Sequence, residues 1–166
     1  MSEARWLTPG EMDTWLTLIA VAMQLPPALD AQLRADAGIT HFEYYVMAIL
    51  SEAPQRRMRL SDLADRTNGT LSRLSHTITK LVDRGWVTRE ASDEDARATV
   101  ARLTEQGWDK VVATAPGHVE RVRRLIFDHV NAADVAELGR VLAPIRAALD
   151  QEIGAATRRE APPRQR

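Results

Sequence analysis

The hydrophobic period of residues 60–103 changes at Gly85, and this change constrains the fold more than any other feature of the sequence. Before Gly85, the spacing of apolar residues predicts a short helix opened by Ser61. A turn at 67–70 separates it from a second helix over about 71–84, which Gly85 ends. Two helices joined by a tight turn are therefore expected in this part of the chain.

After Gly85 the pattern favours two short strands, 86–89 and 99–103, joined by a polar hairpin tip. Helix, turn, helix and hairpin is the order of a winged helix-turn-helix, whose second helix enters the major groove of DNA. The predicted fold class is mainly α: a winged helix-turn-helix with a two-stranded β wing, flanked by N- and C-terminal helices.

The flanking segments are predicted to be long amphipathic helices. The first covers about 11–37, where Pro26-Pro27 should kink or restart it and Gly38 should stop it. Thr40 should cap the next helix, with Glu43 completing a capping box. Towards the C-terminus, a helix restarts at Thr104 with a bend expected at Pro116, and Asn131 can cap a last helix.

The second helix of the central segment has two chemically different faces. A buried stripe is predicted for Leu71, Leu74, Ile78, Leu81 and Val82. The opposite face then carries short hydroxyls, one imidazole and two cations: Ser72, Arg73, Ser75, His76, Thr79 and Lys80. Such a face suits phosphate and base-edge contacts. A solvated helix surface would have the same composition, and the adjoining hairpin is what favours DNA binding.

Residues 60–107, "LSDLADRTNGTLSRLSHTITKLVDRGWVTRE…DEDARATVARLTEQG", resemble the winged-helix core of the MarR family of transcription regulators. Asp95-Ala96-Arg97 matches the family's wing motif, and 103–107 its closing motif. The resemblance implies that Thr70 and the outer helix face contact DNA, while Arg97 enters the minor groove. Asp95 is in place to brace that arginine through a charge-assisted hydrogen bond. A salt-bridged surface turn is the weaker alternative for this pair.

Two features of this segment limit its attraction for DNA. Residues 56–102 carry ten Lys/Arg and seven Asp/Glu, only +3, against twelve and sixteen elsewhere. Asp93 and Glu94 at the wing tip should lower non-specific affinity and sharpen discrimination. His76 occupies a place where the family more often has arginine, so protonation below about pH 6.5 should strengthen DNA binding.

The resemblance also implies how the rest of the chain is organised. Four segments are expected: an N-terminal dimerisation helix (1–37), the winged core (38–107), C-terminal dimerisation helices (108–157) and a disordered tail (158–166). The stripes that contain Leu16 and Met23, and Leu138 and Leu149, are wide enough to pack on a second copy. A homodimer would present two recognition helices to a pseudo-palindromic operator.

An effector pocket between the dimer helices and the winged core is a further implication. His41, Phe42, Tyr44 and Tyr45 could line it and receive a small aromatic or phenolic effector, with Met47 beside them. An alternative is at least as good: these residues belong to the core and the dimer interface.

The sequence therefore predicts a cytoplasmic DNA-binding transcription regulator that acts as a homodimeric, ligand-responsive repressor. The alternative is a winged-helix homodimer that mainly binds a ligand or a protein and has weak DNA affinity. Catalytic motifs, cofactor motifs and a cluster of metal ligands are missing, and the four histidines are scattered, so no enzyme and no metal site are expected. Cysteine is absent, and neither a signal peptide nor a membrane span is expected.

Overall fold

The computed structural model describes residues 4–92, 95 and 98–160, with side chains described up to 153. Within those residues the chain forms six α-helices and three β-strands. The helices are α1 Pro9–Ala37, α2 His41–Glu52, α3 Leu60–Arg66, α4 Leu71–Asp83, α5 Glu105–Leu125 and α6 Ala132–Glu160. The strands are β1 Arg57–Arg59, β2 Val87–Ala91 and β3 Thr99–Leu103. Short 3-10 turns cover Pro54–Arg56 and Phe127–His129.

The fold class predicted from the sequence is confirmed, with one addition to the sheet. Strands β2 and β3 pair antiparallel to form the wing, with Val87 opposite Leu103 and Ala91 opposite Thr99. β1 pairs with the other edge of β3, so the sheet has three strands in the order β1-β3-β2. The chain divides into two compact units, Met1–Val122 and Arg123–Arg166.

The core of the first unit lies where α2, α3 and α4 pack against the sheet. Its largest fully buried side chains are apolar and come from helices α1–α4, from the α1–α2 connection and from β2: Leu33, Ile39, Val46, Met47, Leu50, Leu63, Leu74, Ile78, Leu81 and Val87. Ala101 and Leu103 of β3 belong to the same cluster. Because burial of each such side chain contributes about 1.5–3 kcal/mol, this cluster fixes α4 and the wing on one body.

The predicted C-terminal end of α1 and the predicted start of α2 are confirmed. Thr40 and Glu43 form a complete capping box at the start of α2, and Glu43 is buried there. Gly38 ends α1 in the left-handed region, at φ 66°, and its N–H donates to the Arg34 carbonyl. α1 begins with a second capping box, formed by Thr8 and Glu11, two residues earlier than expected.

Of the two alternatives expected at Pro26-Pro27, a kink or a restart of the helix, the restart is wrong, and the predicted start of α3 is also wrong. α1 does not restart at Pro26-Pro27 but runs on from Pro9 to Ala37. Each proline removes one N–H donor, and burial of Leu29 and Leu33 beyond the pair holds the last turns in place. Ser61 does not open α3, because the helix begins at Leu60 and the Ser61 hydroxyl donates to Asp62. Leu63 and Ala64 of this helix are buried.

By length and composition alone, α1 could also cross a membrane: an 18-residue window has a mean hydropathy of 1.2. This apolar composition runs against the expectation that the chain has no membrane span. The C-terminal part of the helix is nevertheless part of the folded unit, since Leu33 is fully buried in the core cluster. An exposed apolar face on the rest of α1 equally suits a protein partner.

The start of α5 is locked to the end of α4. The Thr104 hydroxyl donates to the Gly85 carbonyl at 2.8 Å and accepts from the Gly107 N–H at 3.0 Å. Gly107 is buried, and a Cβ atom built on it would lie 2.2 Å from the Trp86 carbonyl oxygen. α5 therefore requires glycine here to pack against the first residues of the wing.

The second unit consists mainly of α6. Asn131 caps it as expected, because its side-chain oxygen accepts from the Asp134 N–H at 3.0 Å. α6 continues to Glu160, three residues into the segment expected to be disordered, and residues 161–166 lie outside the described part. Apolar side chains along α6 are exposed within this chain: Val135, Leu138, Val141, Leu142, Ile145, Leu149 and Ile153.

Candidate nucleic-acid interface

The N-terminal end of helix α4 is held by a local hydrogen bond and by the turn that precedes it. The Thr70 hydroxyl caps its start and accepts from the Arg73 N–H at 3.2 Å. The preceding turn places Asn68 in the left-handed region, at φ 50°, where asparagine is better tolerated than most residues. Gly69 lies against the Phe42 ring, which a Cβ atom there would approach to 3.0 Å. α2 thus supports the turn that positions α4.

The inward stripe of α4 differs from the predicted one at three positions. Leu74, Thr77, Ile78 and Leu81 are buried, while Leu71 and Val82 are exposed. With 100° between successive residues, Val82 falls roughly 90° from the middle of this buried arc, whereas Thr77 falls within it. The Thr77 hydroxyl is satisfied by donating to the Arg73 carbonyl. Leu71 is the first residue of the helix, at the end that lies outside the core.

The residues predicted for DNA contact lie together on the other side of α4. Ser75 is half-buried on this side. Thr70 and five residues of the helix are exposed around it: Ser72, Arg73, His76, Thr79 and Lys80. The α4 sequence has no carboxylate before Asp83. This surface, called the α4 face below, offers hydroxyl, imidazole and cationic groups on one side of a rigid helix.

Arg73 is anchored on an aromatic ring. Its guanidinium carbon lies 4.0 Å from the centroid of the Phe42 ring, a cation–π contact. A stacked arginine keeps its donors in the plane of the fork and loses less conformational entropy when it binds an acceptor. Phe42, predicted to line an effector pocket, therefore supports a residue of the α4 face.

Arg89 of β2 was not singled out from the sequence, yet it joins the wing to α4. Its Nη2 donates to the Ser75 carbonyl at 2.8 Å and to the Thr79 hydroxyl oxygen at 2.9 Å. The Ser75 hydroxyl lies 3.5 Å from the same nitrogen. A third exposed cation thus stands beside the α4 face, at its junction with the wing.

The described part of the wing ends in a closed hairpin. The Ser92 N–H donates to the Ala98 carbonyl, and the Ala98 N–H donates to the Asp95 carbonyl. Glu90 and Arg102 form a salt bridge of 3.1 Å across the two strands. Asp95 is exposed. Arg97 and the other tip residues (93, 94 and 96) lie outside the described residues, so the minor-groove role of Arg97 and its bracing by Asp95 remain predictions.

The sequence suggested that the four histidines are scattered, but two of them lie close together in the structure. His41 and His118 have ring centroids 5.8 Å apart, although they are 77 positions apart in the sequence. His41 also stacks on Tyr45 at 6.2 Å, and His118 contacts Tyr44 at 4.7 Å. Three of the four predicted effector-contacting residues therefore form one aromatic cluster with His118, a residue that was missed.

The aromatic cluster of His41, Tyr44, Tyr45 and His118 contains an unsatisfied polar atom. Nδ1 of His118 is buried, and it has no hydrogen-bond partner among the described residues. Burial lowers the pKa of His118, and the neighbouring His41 lowers it further. Burial also lowers the pKa of His41, opposed by Asp30 and assisted by Arg73, and it raises the pKa of Tyr44. Both imidazoles are thus neutral at pH 7.

This cluster should make the protein less stable in mild acid. In the unfolded state the two imidazoles bind protons below about pH 6.5. In the folded state the lowered pKa values of His41 and His118 keep these rings neutral to a lower pH. The unfolded state then binds more protons, so the free energy of unfolding falls from about pH 6.5 down to the lowered folded pKa. Thermal unfolding at pH 7.5 and 5.5 measures the effect. His118→Gln should make the stability less dependent on pH, and the control His129→Gln should not. If the two variants lost the same stability between pH 7.5 and 5.5, the effect could not be attributed to His118.

Among the described residues no group of three or more His, Asp or Glu side chains is arranged to hold a metal ion. A cavity of about 420 Å³ lies beside α4 but is lined mainly by charged residues, which do not suit an aromatic effector. Its lining residues are Arg34, Gly38, Thr40, Glu43, Lys80, Asp83 and Arg84.

A helix-turn-helix whose second helix exposes hydroxyls and cations beside a β hairpin defines a winged-helix transcription regulator. Residues 39–99 match the model of the MarR family. The chain is similar to Sco3205, a MarR family transcriptional regulator from Streptomyces coelicolor solved in complex with DNA. The two are 39% identical, with a TM-score of 0.85 over 90% of this chain and 93% of that one.

AbsC, a MarR family transcriptional regulator from the same organism, is also 39% identical, with a TM-score of 0.82 over 88% of this chain and 98% of that one. The transcriptional repressor YetL of Bacillus subtilis (strain 168) is 23% identical over 120 residues, 72% of this chain and 71% of that protein. The chain belongs to the MarR family of transcription regulators, a family of regulators rather than enzymes.

Proposed function

We propose that the protein is a repressor that binds double-stranded DNA sequence-specifically in the cytoplasm, as a homodimer on a pseudo-palindromic operator. The α4 face carries this proposal: its hydroxyls and cations are exposed together, and Arg89 adds positive charge beside them. The complex of Sco3205 with DNA supports it, because that regulator is 39% identical over most of this chain. Repression is proposed because YetL is a repressor.

Each group of the α4 face has a role that suits its chemistry. The Thr70 hydroxyl accepts from Arg73 and keeps its hydrogen for a phosphate oxygen. Arg73, held on Phe42, and Ser72 would reach base edges or the DNA backbone, and Lys80 would attract phosphates. Arg97 would enter the minor groove from the wing, and His76 would contact a base with less phosphate attraction than an arginine provides.

The exposed apolar side chains of the long helices support the proposed homodimer. α1 exposes Met12, Trp15, Leu16, Leu18 and Met23, and Met23 is 71% exposed. α6, in the second unit, exposes seven large apolar residues of its own. Several large apolar side chains exposed along one helix are typical of a surface that binds another protein. A second copy of the chain is the partner that two-fold operator symmetry requires.

The aromatic cluster is the proposed effector site. Stacked rings, and a buried imidazole nitrogen that has no partner in the described part of the chain, suit a small aromatic or phenolic compound that supplies one hydrogen-bonding group. Phe42 connects the region to Arg73 of the α4 face. An effector would weaken repression only if it binds more tightly to a form that does not fit DNA.

The second candidate function is a winged-helix adaptor that binds a ligand or a protein and has weak DNA affinity. The small positive charge of residues 56–102, +3, and His76 in place of an arginine favour it. Both features reduce the electrostatic part of DNA binding, which carries most non-specific affinity.

Binding to selected and random DNA separates these functions. A regulator should prefer its operator over random duplex by about 10³-fold or more, with affinity that falls as salt rises. Operators are obtained by selection from a randomised duplex library and compared at several salt concentrations. Equal, weak binding to every duplex would favour the adaptor.

A further inference from the structure

Thr79 lies on the α4 face, but its hydroxyl is already occupied. Its oxygen lies 3.0 Å from the Ser75 carbonyl oxygen and 2.9 Å from Nη2 of Arg89. A carbonyl can only accept and a guanidinium can only donate. The direction of both hydrogen bonds is therefore fixed: Thr79 donates its single hydrogen to Ser75 and accepts from Arg89.

These two bonds also fix the rotamer of Thr79. A threonine that bonds the carbonyl four residues earlier is held in one of the few χ1 wells open to it in a helix. Arg89 donates to the Ser75 carbonyl as well, so the three groups form a closed set. With the oxygen turned to Ser75 and Arg89, the γ-methyl on the same Cβ is the group left to meet a ligand.

The wing keeps Arg89 in this position. Arg89 pairs with Ala101 of β3, which is fully buried, and its neighbour Glu90 is bridged to Arg102. Arg89 therefore approaches α4 from a strand that is paired and anchored in the core. Its contact with Thr79 does not depend on the residues of the wing tip.

We infer that Thr79 is a specificity-determining residue that reads DNA through its methyl group, and that Arg89 is the positioning residue that turns this methyl outward. The methyl group of Thr79 suits an apolar contact with the C5-methyl group of thymine, which is exposed in the major groove. One thymine in each operator half-site is the expected partner. This inference rests on the proposed function, and it assigns Thr79 an apolar contact in place of the hydrogen bond that its residue type suggests.

Three variants and one base analogue test the inference on an operator selected with the wild-type protein. Replacing the critical thymine by deoxyuridine removes only the methyl group and should weaken wild-type binding about fourfold, the value of one buried carbon. Thr79→Val keeps a γ-methyl group, so deoxyuridine should weaken its binding as much as it weakens wild-type binding. Thr79→Ser lacks the methyl group and should bind the thymine and deoxyuridine duplexes equally. Arg89→Met frees the Thr79 rotamer and should reduce the difference in affinity between the two duplexes.

Matched controls separate this role from charge and stability. Arg66→Met also removes an exposed cation of the first unit, and should leave the thymine preference intact. Thr88→Val makes the threonine-to-valine exchange on β2 and should behave as wild type. Melting temperatures of all variants are compared to confirm that each is folded.

The outcomes distinguish the inference from the function on which it rests. If the wild-type protein prefers an operator but Thr79→Ser keeps the thymine preference while Thr79→Val loses it, the hydroxyl reads the base and the inference is overturned. The same holds if no deoxyuridine substitution in the operator weakens binding, or if Arg89→Met leaves the preference unchanged. If no operator can be selected at all, the proposed function itself fails.

Discussion

Replacement of Gly107 by alanine is expected to lower the free energy of unfolding by about 3 kcal/mol, the upper range for overpacking a buried site. The added Cβ atom would lie 2.2 Å from the Trp86 carbonyl oxygen and 2.7 Å from Cδ1 of Leu103. The first of these is backbone at the start of the wing and cannot rotate away. Thermal unfolding should show a melting temperature lower by roughly 6–12 °C.

Gly117→Ala is the matched control for this substitution. Gly117 lies in the same helix, and a Cβ atom there would meet Gln32 Nε2 at 3.7 Å, an ordinary contact. Since alanine favours a helix over glycine by about 1 kcal/mol, this variant should be as stable as wild type or more so. Equal melting temperatures for Gly107→Ala and Gly117→Ala would show that the α5–wing contact is not as tight as the distances require.

Replacement of Arg97 by alanine is expected to weaken operator binding by about 1–3 kcal/mol, roughly 5- to 150-fold, with the fold retained. In the sequence Arg97 lies between Ser92 and Ala98, which are joined by a hydrogen bond in the described part of the hairpin. An arginine that enters the minor groove contributes both a groove contact and an attraction to the flanking phosphates. The alanine variant loses both. Titration of the selected operator at two salt concentrations measures the loss.

Arg140→Ala is a suitable control, because it removes the same charge from α6, where Arg140 is bridged to Glu137 of its own helix. It should leave operator affinity near the wild-type value. The dependence of affinity on salt should become shallower for Arg97→Ala only. Unchanged operator affinity in a folded Arg97→Ala dimer would remove the minor-groove role of the wing.

Local chemistry made much of the fold predictable. Gly38 and Gly85 stand where helices end, and both adopt positive φ, 66° and 73°. Thr40 and Glu43 carry a complete capping signal three residues apart. These signals act between residues that are close in sequence, so they are visible without the structure. The composition of the α4 face was visible for the same reason.

The features that were missed depend on contacts between distant segments. β1 has three residues and no alternation of its own, and it is a strand because Met58 pairs with Ala101 of β3. Arg89 reaches Thr79 across the α4–wing junction, and His118 meets His41 from another helix. The hydrophobic periodicity of the sequence is a local pattern, so it cannot predict contacts between such distant residues. α1 continues through two prolines because tertiary burial of Leu33 outweighs a local preference.

Footprinting of the selected operator, combined with the mass of the complex, tests most directly whether two copies of the winged segment read one duplex. Two protected patches are expected, related by a dyad and centred about 34–36 Å apart, one helical turn, in a complex of two chains per operator. A single patch occupied by one chain, or the same protection on a duplex of random sequence, would contradict the account.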